Sequence, residues 1–336
     1  MRIEQNFSLE AYNTFHLKVK TRWFMEYDSE ADLEKILHDE YYQECFSLHI
    51  GSGSNLLFLN DINGIILHSQ IKGIEKVKED DEYVYLRVGA AEKWDELVDF
   101  TVKKGWSGAE CLSLIPGEVG AAAVQNIGAY GAEIKDLVEN VEVWSKFSFQ
   151  KKIFSNEDCH YAYRYSYFKD EQSEPYIVTY VTLRFAKHPV FNIRHGALHD
   201  ALEGKELTPS VVRDAVIAIR QSKLPDPDVL GNAGSFFMNP MIPADQYALL
   251  LKQYPDIPCY PSEPGKVKVP AGWLIDHCGL KGKNYGNVGI YEKQALVLVN
   301  LGGATGDEIA LFAESVRNLV QDRFGIDLRP EVKYVG

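Results

Sequence analysis

Two glycine-rich tracts place the strongest constraint on what this chain can fold into. Gly51-Ser52-Gly53-Ser54-Asn55 follows the apolar run at residues 46–50 and precedes another at 56–59, and a second tract of small residues runs over 115–131. Stretches poor in Cβ atoms let backbone approach a ligand closely, and a turn at a strand end presents its amides to an anion. The first tract is not a Rossmann fingerprint, which needs G-x-G-x-x-G opening a helix, because residues 56–59 read as strand. Alone it is equally compatible with an ordinary turn. Two such tracts together suit a ligand with a diphosphate and a long extended body.

Around the tracts, helical and strand periods interleave, as in an α/β or α+β enzyme. Ser29 caps a helix with Glu30 and Asp32 in its first turn and Leu33, Ile36 and Leu37 on its apolar side. Strands are expected over 83–88, 138–144 and 176–185, with a helix over 91–102 ending near Gly105. Thr208-Pro209 opens a further helix with the face Val211, Val212, Ala215, Val216 and Ile219, and a domain boundary is placed near residue 200. Beyond it come a helix over 244–254, a strand over 295–299 and a helix over 307–324 closed by Gly325.

With 336 residues the chain holds about two domains. Its 35 Lys and Arg against 48 Asp and Glu give a net charge of −13, the wrong sign for a nucleic-acid partner. A small anion is still allowed, since local cations and amides can hold it. Five scattered cysteines (Cys45, Cys111, Cys159, Cys259, Cys278) form no C-x-x-C pair, which argues against a disulfide framework or a zinc knot. No apolar run reaches the roughly 18 residues of a membrane span, and the beginning of the sequence lacks a signal layout. A cytoplasmic protein without a membrane partner is expected. His195 and His199 are four apart, but the segment between them lacks the Glu of a zinc helix and contains Gly196, so no metal is expected.

Gly234-Ser235-Phe236 is not a nucleophile elbow, which reads G-x-S-x-G, and a lone Ser after Gly usually serves a turn. Arg164 and Glu331 would pass alone for surface charges, and Lys223 for the complement of a helix dipole. Eight motifs in order change that reading. They are Asn13-Thr14-Phe15, residues 51–57, residues 115–131, Tyr163-Arg164-Tyr165-Ser166-Tyr167-Phe168-Lys169, residues 222–227, residues 231–240, residues 271–276 and Pro330-Glu331-Val332. Over nearly the whole chain they resemble the UDP-N-acetylenolpyruvoylglucosamine reductase family, in its long-loop subtype.

The resemblance implies an α+β fold: a two-lobed FAD-binding domain of the vanillyl-alcohol-oxidase (PCMH) type and a carboxyl-terminal α/β substrate domain. The lobes would cover 1–72 and 73–200, the substrate domain 201–327, and a segment over 328–336 would return to the active site. It also implies that NADPH reduces FAD, which then gives a hydride to the methylene carbon of a UDP-sugar enolpyruvyl ether. The neighbouring carbon is left as a carbanion delocalised into its carboxylate, which needs fixed polar partners and a proton source. Matching positions give Arg164 and Glu331 the carboxylate and Ser235 the proton. The implied FAD contacts are Gly51, Ser52, Gly53, Ser54, Asn55 and Leu56 in the first tract, and Pro116, Gly117, Gly120, Ala121, Ala122, Asn126, Ile127, Gly128 and Ala129 in the second. Tyr130, Tyr163, Lys223, Asn239 and Gln294 resemble substrate contacts, the Lys223 ammonium suiting a diphosphate. His195 stands where the subtype carries a lid tyrosine over the substrate.

Neither tract contains a histidine that could tether a flavin, so the resemblance points to noncovalent FAD, with NADPH as co-substrate. A flavin oxidase of small alcohols or hydroxy acids is the same-fold alternative, and a noncatalytic sugar-nucleotide-binding protein is another. The expected enzyme is a monomer whose partners are small molecules.

Overall fold

The computed structural model describes residues 1–170, 172, 174–191, 193 and 196–336. Ser47–Ile50 and Lys20–Tyr27 each pair in parallel with Ile62–Ser69, and Arg2–Ser8 completes this four-stranded sheet. Parallel strands finish at a common edge, where open sheets of this type bind ligands. The first glycine tract leaves from that edge, because Ile50 pairs with His68 near the end of the central strand. Helix Glu30–Leu37 closes one face with Leu33, Ile36 and Leu37 on Met25, Ile65 and Leu67, and Ser29 accepts from the Asp32 amide as its spacing predicts.

A second, antiparallel sheet has the strand order Lys151–Ser155, Val138–Ser145, Tyr176–Ala186, Tyr83–Gly89, Ile74–Glu79. Helices Trp94–Lys103 and Val119–Gln125 cover it, with Trp94, Leu97, Val98, Ala122 and Ala123 packed on Val84, Leu86, Val141, Val181 and Leu183. The first of these helices starts later than the expected residue 91. The Ala90 and Ala91 amides donate instead to Thr179 O at 2.9 Å and Ile71 O at 3.0 Å, which holds that stretch extended.

Internal contacts divide the described chain into two compact units, Met1–Phe7 with Thr21–Ser52 and Ile62–Ser222, and Ser8–Lys20 with Gly53–Asp61 and Lys223–Gly336. Both sheets above lie in the first, apart from the strand-end residues Ser8 and Lys20. The sequence reading starts a new domain near 200, yet residues 201–222 group with the first unit by contacts. Val212, Ala215 and Val216 of helix Pro209–Lys223 share a core with Leu198, Leu202 and Cys111, and that apolar face decides where the helix belongs.

The second unit is built on a four-stranded sheet ordered Gly231–Ser235, Val297–Asn300, Val288–Ile290, Asn284–Tyr285. Its long helix, Gly306–Phe324, opens on a capping box between Thr305 and Glu308 and stops at Gly325, whose φ of 66° suits glycine. Lys333–Val335 pairs in parallel with Leu56–Phe58, so the strand after the first glycine tract is completed by residues far along the chain.

Candidate functional site

In the first unit Gly51 and Ser52, which open the first glycine tract, meet the second tract. A Cβ on Gly51 would lie 3.3 Å from Ala121 Cβ and 3.0 Å from Glu118 Oε2, so the first turn packs against the start of the second-tract helix with little room for a side chain at residue 51. Ala121 is exposed beside it, while Ala122 and Ala123 are buried on the other side of the helix. Pro116 and Gly117 lead into that helix; Gly120 is buried within it, and Ser52 is half-buried in the facing turn.

The second tract is held by its neighbours. Asn126 caps the helix in the left-handed region and is fully buried, its amide donating to Ala162 O at 2.7 Å and Glu133 Oε2 at 3.3 Å. Arg164 donates to Gly128 O at 2.6 Å and Asn126 O at 3.5 Å, and its guanidinium lies 5.1 Å from the Tyr163 ring. Residues beyond Ile127 form a tight hairpin, Gly128–Ala129 against Ala132–Glu133, with Tyr130 at its turn. Leu114, Asn126, Tyr130 and Arg164 all have φ between 50° and 60°. Left-handed conformations in non-glycine residues cost about 1–3 kcal/mol each and concentrate at functional sites.

Asp95 anchors the entry to this tract. It accepts from the Leu114 amide at 2.5 Å and takes both Arg213 amino groups, at 2.6 and 2.9 Å. Burial opposes its ionisation, but the Arg213 and Leu114 hydrogen bonds outweigh it and hold the carboxyl below its ordinary range. Burial raises the Tyr130 hydroxyl against the pull of nearby Arg220, and burial lowers Arg220 itself.

In the second unit Ser235, Glu331 and Asn55 come together. Ser235 is exposed at the end of its strand while Phe236 and Phe237 after it are buried, so the aromatic pair fixes a hydroxyl that stays accessible. The Glu331 amide donates to Phe236 O at 2.8 Å, and Asn55 Nδ2 donates to Glu331 O at 3.1 Å. Gly53 has φ of 69° and sits so close to Tyr12 that a Cβ would fall 1.9 Å from the Tyr12 carbonyl oxygen. Ser54 and Leu56 are half-buried around it. Asn239 and Gln294 converge on helix Ala271–His277: Asn239 Oδ1 accepts from the Ala271 amide at 2.9 Å, and Gln294 Oε1 lies 3.2 Å from where a Gly272 Cβ would be. Lys223 is exposed at the end of its helix. His195 lies outside the described residues.

These residues fit a flavin dinucleotide. The glycine turn leaves a parallel-sheet edge, and two of the four buried side-chain polar atoms without a hydrogen-bond partner among the described residues are Arg220 Nε in the first unit, near Tyr130, and Thr14 Oγ1 in the second, next to a backbone contact with Gly53. Glu118 lies inside the second tract but has no role assigned to it there, and nothing in the sequence picks out His68, Asp95 and Arg220. Their only signal is titratable chemistry close to the tracts in space, which spacing along the chain does not reveal.

Residues 22–146 match the model of an FAD binding domain, and residues 226–335 match that of the UDP-N-acetylenolpyruvoylglucosamine reductase C-terminal domain. UDP-N-acetylenolpyruvoylglucosamine reductases of Porphyromonas gingivalis and Bacteroides fragilis are 48% and 46% identical to this chain, covering 100% and 99% of it and 100% of each relative. A crystal structure of the enzyme (MurB) from Thermus caldophilus superposes with a TM-score of 0.71 at 23% identity, over 100% of both chains, and supports the fold. The α+β fold with an FAD-binding domain is thus as the sequence implies, and the chain belongs to the UDP-N-acetylenolpyruvoylglucosamine reductase family.

Proposed function

We propose that this protein reduces UDP-N-acetylenolpyruvoylglucosamine to UDP-N-acetylmuramate with NADPH, through noncovalently bound FAD, in peptidoglycan precursor synthesis. The observation that carries the assignment to this chain's own residues is the junction in which the Glu331 amide bonds Phe236 O, next to the exposed Ser235, while Asn55 bonds Glu331 O. It joins both ends of the reading, a tract assigned to the cofactor and two residues assigned to the reaction.

Bound FAD would supply the redox chemistry, namely hydride transfer from NADPH to the methylene carbon of the enolpyruvyl ether. Ser235 Oγ holds the proton that the neighbouring carbon takes up, a transfer open to an alcohol because the carbon acid is so basic. Arg164 serves as the fixed cation and Glu331 as a hydrogen-bond donor, through a carboxylic acid O–H, to the substrate carboxylate while charge develops on it. The Gly128 and Asn126 carbonyls fix the plane of the Arg164 guanidinium, and such preorganisation removes a reorganisation cost from the reaction. Gly51, Ser52, Gly53, Ser54, Asn55 and Leu56, with Pro116, Gly117, Gly120, Ala121, Ala122, Asn126, Ile127, Gly128 and Ala129, form the FAD contacts. Lys223, Tyr130, Tyr163, Asn239, Gln294 and His195 serve the sugar nucleotide. The functional division stays as two flavin lobes, a substrate domain and a returning segment at 328–336. The reading also takes the enzyme to be a cytoplasmic monomer, since NADPH and a sugar nucleotide are small molecules of the cell interior.

The test is the absorption spectrum of the purified protein. A flavin spectrum that bleaches with NADPH and recovers anaerobically on adding the enolpyruvyl sugar nucleotide is the expected result. Bleaching without recovery would point to a different acceptor, and a protein that takes up no flavin would refute the reading.

A further inference from the structure

Under the first glycine tract lies a buried carboxylate–imidazole–carboxylate cluster that the reaction does not use. His68 is 5% exposed and Glu26 is 7% exposed, and the two are paired across neighbouring parallel strands. His68 Nδ1 is 3.0 Å from Glu26 Oε1, and Nε2 is 3.3 Å from Glu118 Oε1. A neutral imidazole has one donor and one acceptor, so donation to carboxylates from both nitrogens requires the imidazolium. Burial opposes that charge, and the Glu118 and Glu26 contacts outweigh it, so the His68 pKa lies above its ordinary value.

Other groups face the ring as well. Phe24 stacks on it with centroids 6.1 Å apart. Gln70 Nε2 lies 3.2 Å from Nδ1 and donates to Glu26 at 2.9 Å, and Arg2 pairs with Glu26 at 3.0 Å. His49 is half-buried and feels the His68 charge, its pKa pushed down to about 3 by desolvation, His68 and Lys146, so it adds no charge near neutrality.

The cluster touches the ligand loop through one carboxyl group. Glu118 gives Oε1 to His68, and its Oε2 lies 3.0 Å from the place a Gly51 Cβ would occupy. Glu118 also immediately precedes the second-tract helix Val119–Gln125. We propose that protonated His68 is a positioning residue for FAD: it locks Glu118 between the two glycine tracts, and FAD binding is coupled to the proton it carries. This rests on the reading that Gly51 and its neighbours contact FAD. Loss of the proton removes the cation between Glu26 and Glu118: Glu26 keeps Arg2 and Gln70, whereas Glu118 loses its hold on His68, and one more net negative charge lies beside the site of a diphosphate. Both effects weaken FAD binding as the pH rises.

The experiment is fluorescence titration of flavin-stripped protein with FAD between pH 6.5 and 9. The dissociation constant of the parent is expected to rise about tenfold across this range, the size of a one-unit difference in His68 pKa between FAD-bound and FAD-free protein. His68→Asn should bind weakly with no such slope. Glu118→Gln should shift the slope to lower pH, because one of the two charges holding the imidazolium is gone, and it carries the test should circular dichroism show His68→Asn unfolded. A His68→Asn variant with the parental slope, weakened or not, or a Glu118→Gln variant with the parental profile, would overturn the proposal. Gly51→Val keeps the two readings apart: parental FAD affinity in that variant would remove Gly51 from the cofactor site, whereas its loss beside a His68→Asn profile unchanged from the parent would reject the coupling alone.

Discussion

Replacing Asp95 with Asn removes one charge and leaves the shape almost unchanged. Arg213, 8% exposed, then keeps its charge with Asp99, at 3.8 Å, as its paired carboxylate among the described residues. Breaking a buried ion pair costs about 3–5 kcal/mol. The Asp95 side chain is 31% exposed and the Asn oxygen can still accept from the Leu114 amide, so about 2–3 kcal/mol is expected here. At about 2–4 °C per kcal/mol for a unit of this size, the melting temperature should fall by roughly 5–10 °C at pH 7. The pH dependence has a definite sign. Asp95 titrates below its ordinary value when folded, so its contribution is complete above the unfolded pKa of about 3.9 and is lost as the pH falls through the folded value. Scanning calorimetry of parent and Asp95→Asn should therefore show a gap that is wide at pH 7 and narrows below about pH 4. A gap under about 1 °C at pH 7, or one that widens on acidification, would refute the argument.

Three further outcomes are expected. Ser235→Ala should leave flavin reduction by NADPH nearly intact and slow reoxidation by substrate at least 10²-fold to 10⁴-fold, roughly the span of a lost proton transfer, in stopped-flow traces; equal slowing of both phases would mean that Ser235 holds the flavin or the fold. Acid precipitation should release all the flavin into the supernatant, and colour left on the pellet would revive the tethered oxidase. Gly53→Ala should cost more than about 4 kcal/mol, because its Cβ would fall 1.9 Å from Tyr12 O, and a urea midpoint matching the parent would contradict that contact.

Much of the fold was legible where local chemistry and periodicity agree. Ser29 and Gly325 mark helix ends whose satisfying groups are a few residues away, whereas the sequence reading leaves out the Thr305–Glu308 capping box and starts its helix at 307 rather than 306. The strand Lys20–Tyr27 was missed because Phe24, Met25, Glu26 and Tyr27 are all buried, which erases the alternation that betrays a half-buried strand. The helix Val119–Gln125 hid among glycines and alanines that carry no amphipathic signal. Ser235 and Glu331 were readable only through resemblance, since nothing near either residue announces that the Glu331 amide meets Phe236. Glu118 and His68, 50 positions apart, could not be paired without the register that sets Ile50 beside His68.

The pairing of Leu56–Phe58 with Lys333–Val335 also sets a clock on biosynthesis. Asn55 and its partner Glu331 are 276 positions apart, so at about 5–20 residues per second the ribosome needs roughly 15–55 s to supply the second after the first. Throughout that interval Leu57 and Phe58, fully buried in the finished protein, have an open strand edge and no partner to cover it. A nascent chain of this protein is therefore most vulnerable to aggregation beside its own glycine turn, and slower elongation lengthens the exposure in direct proportion.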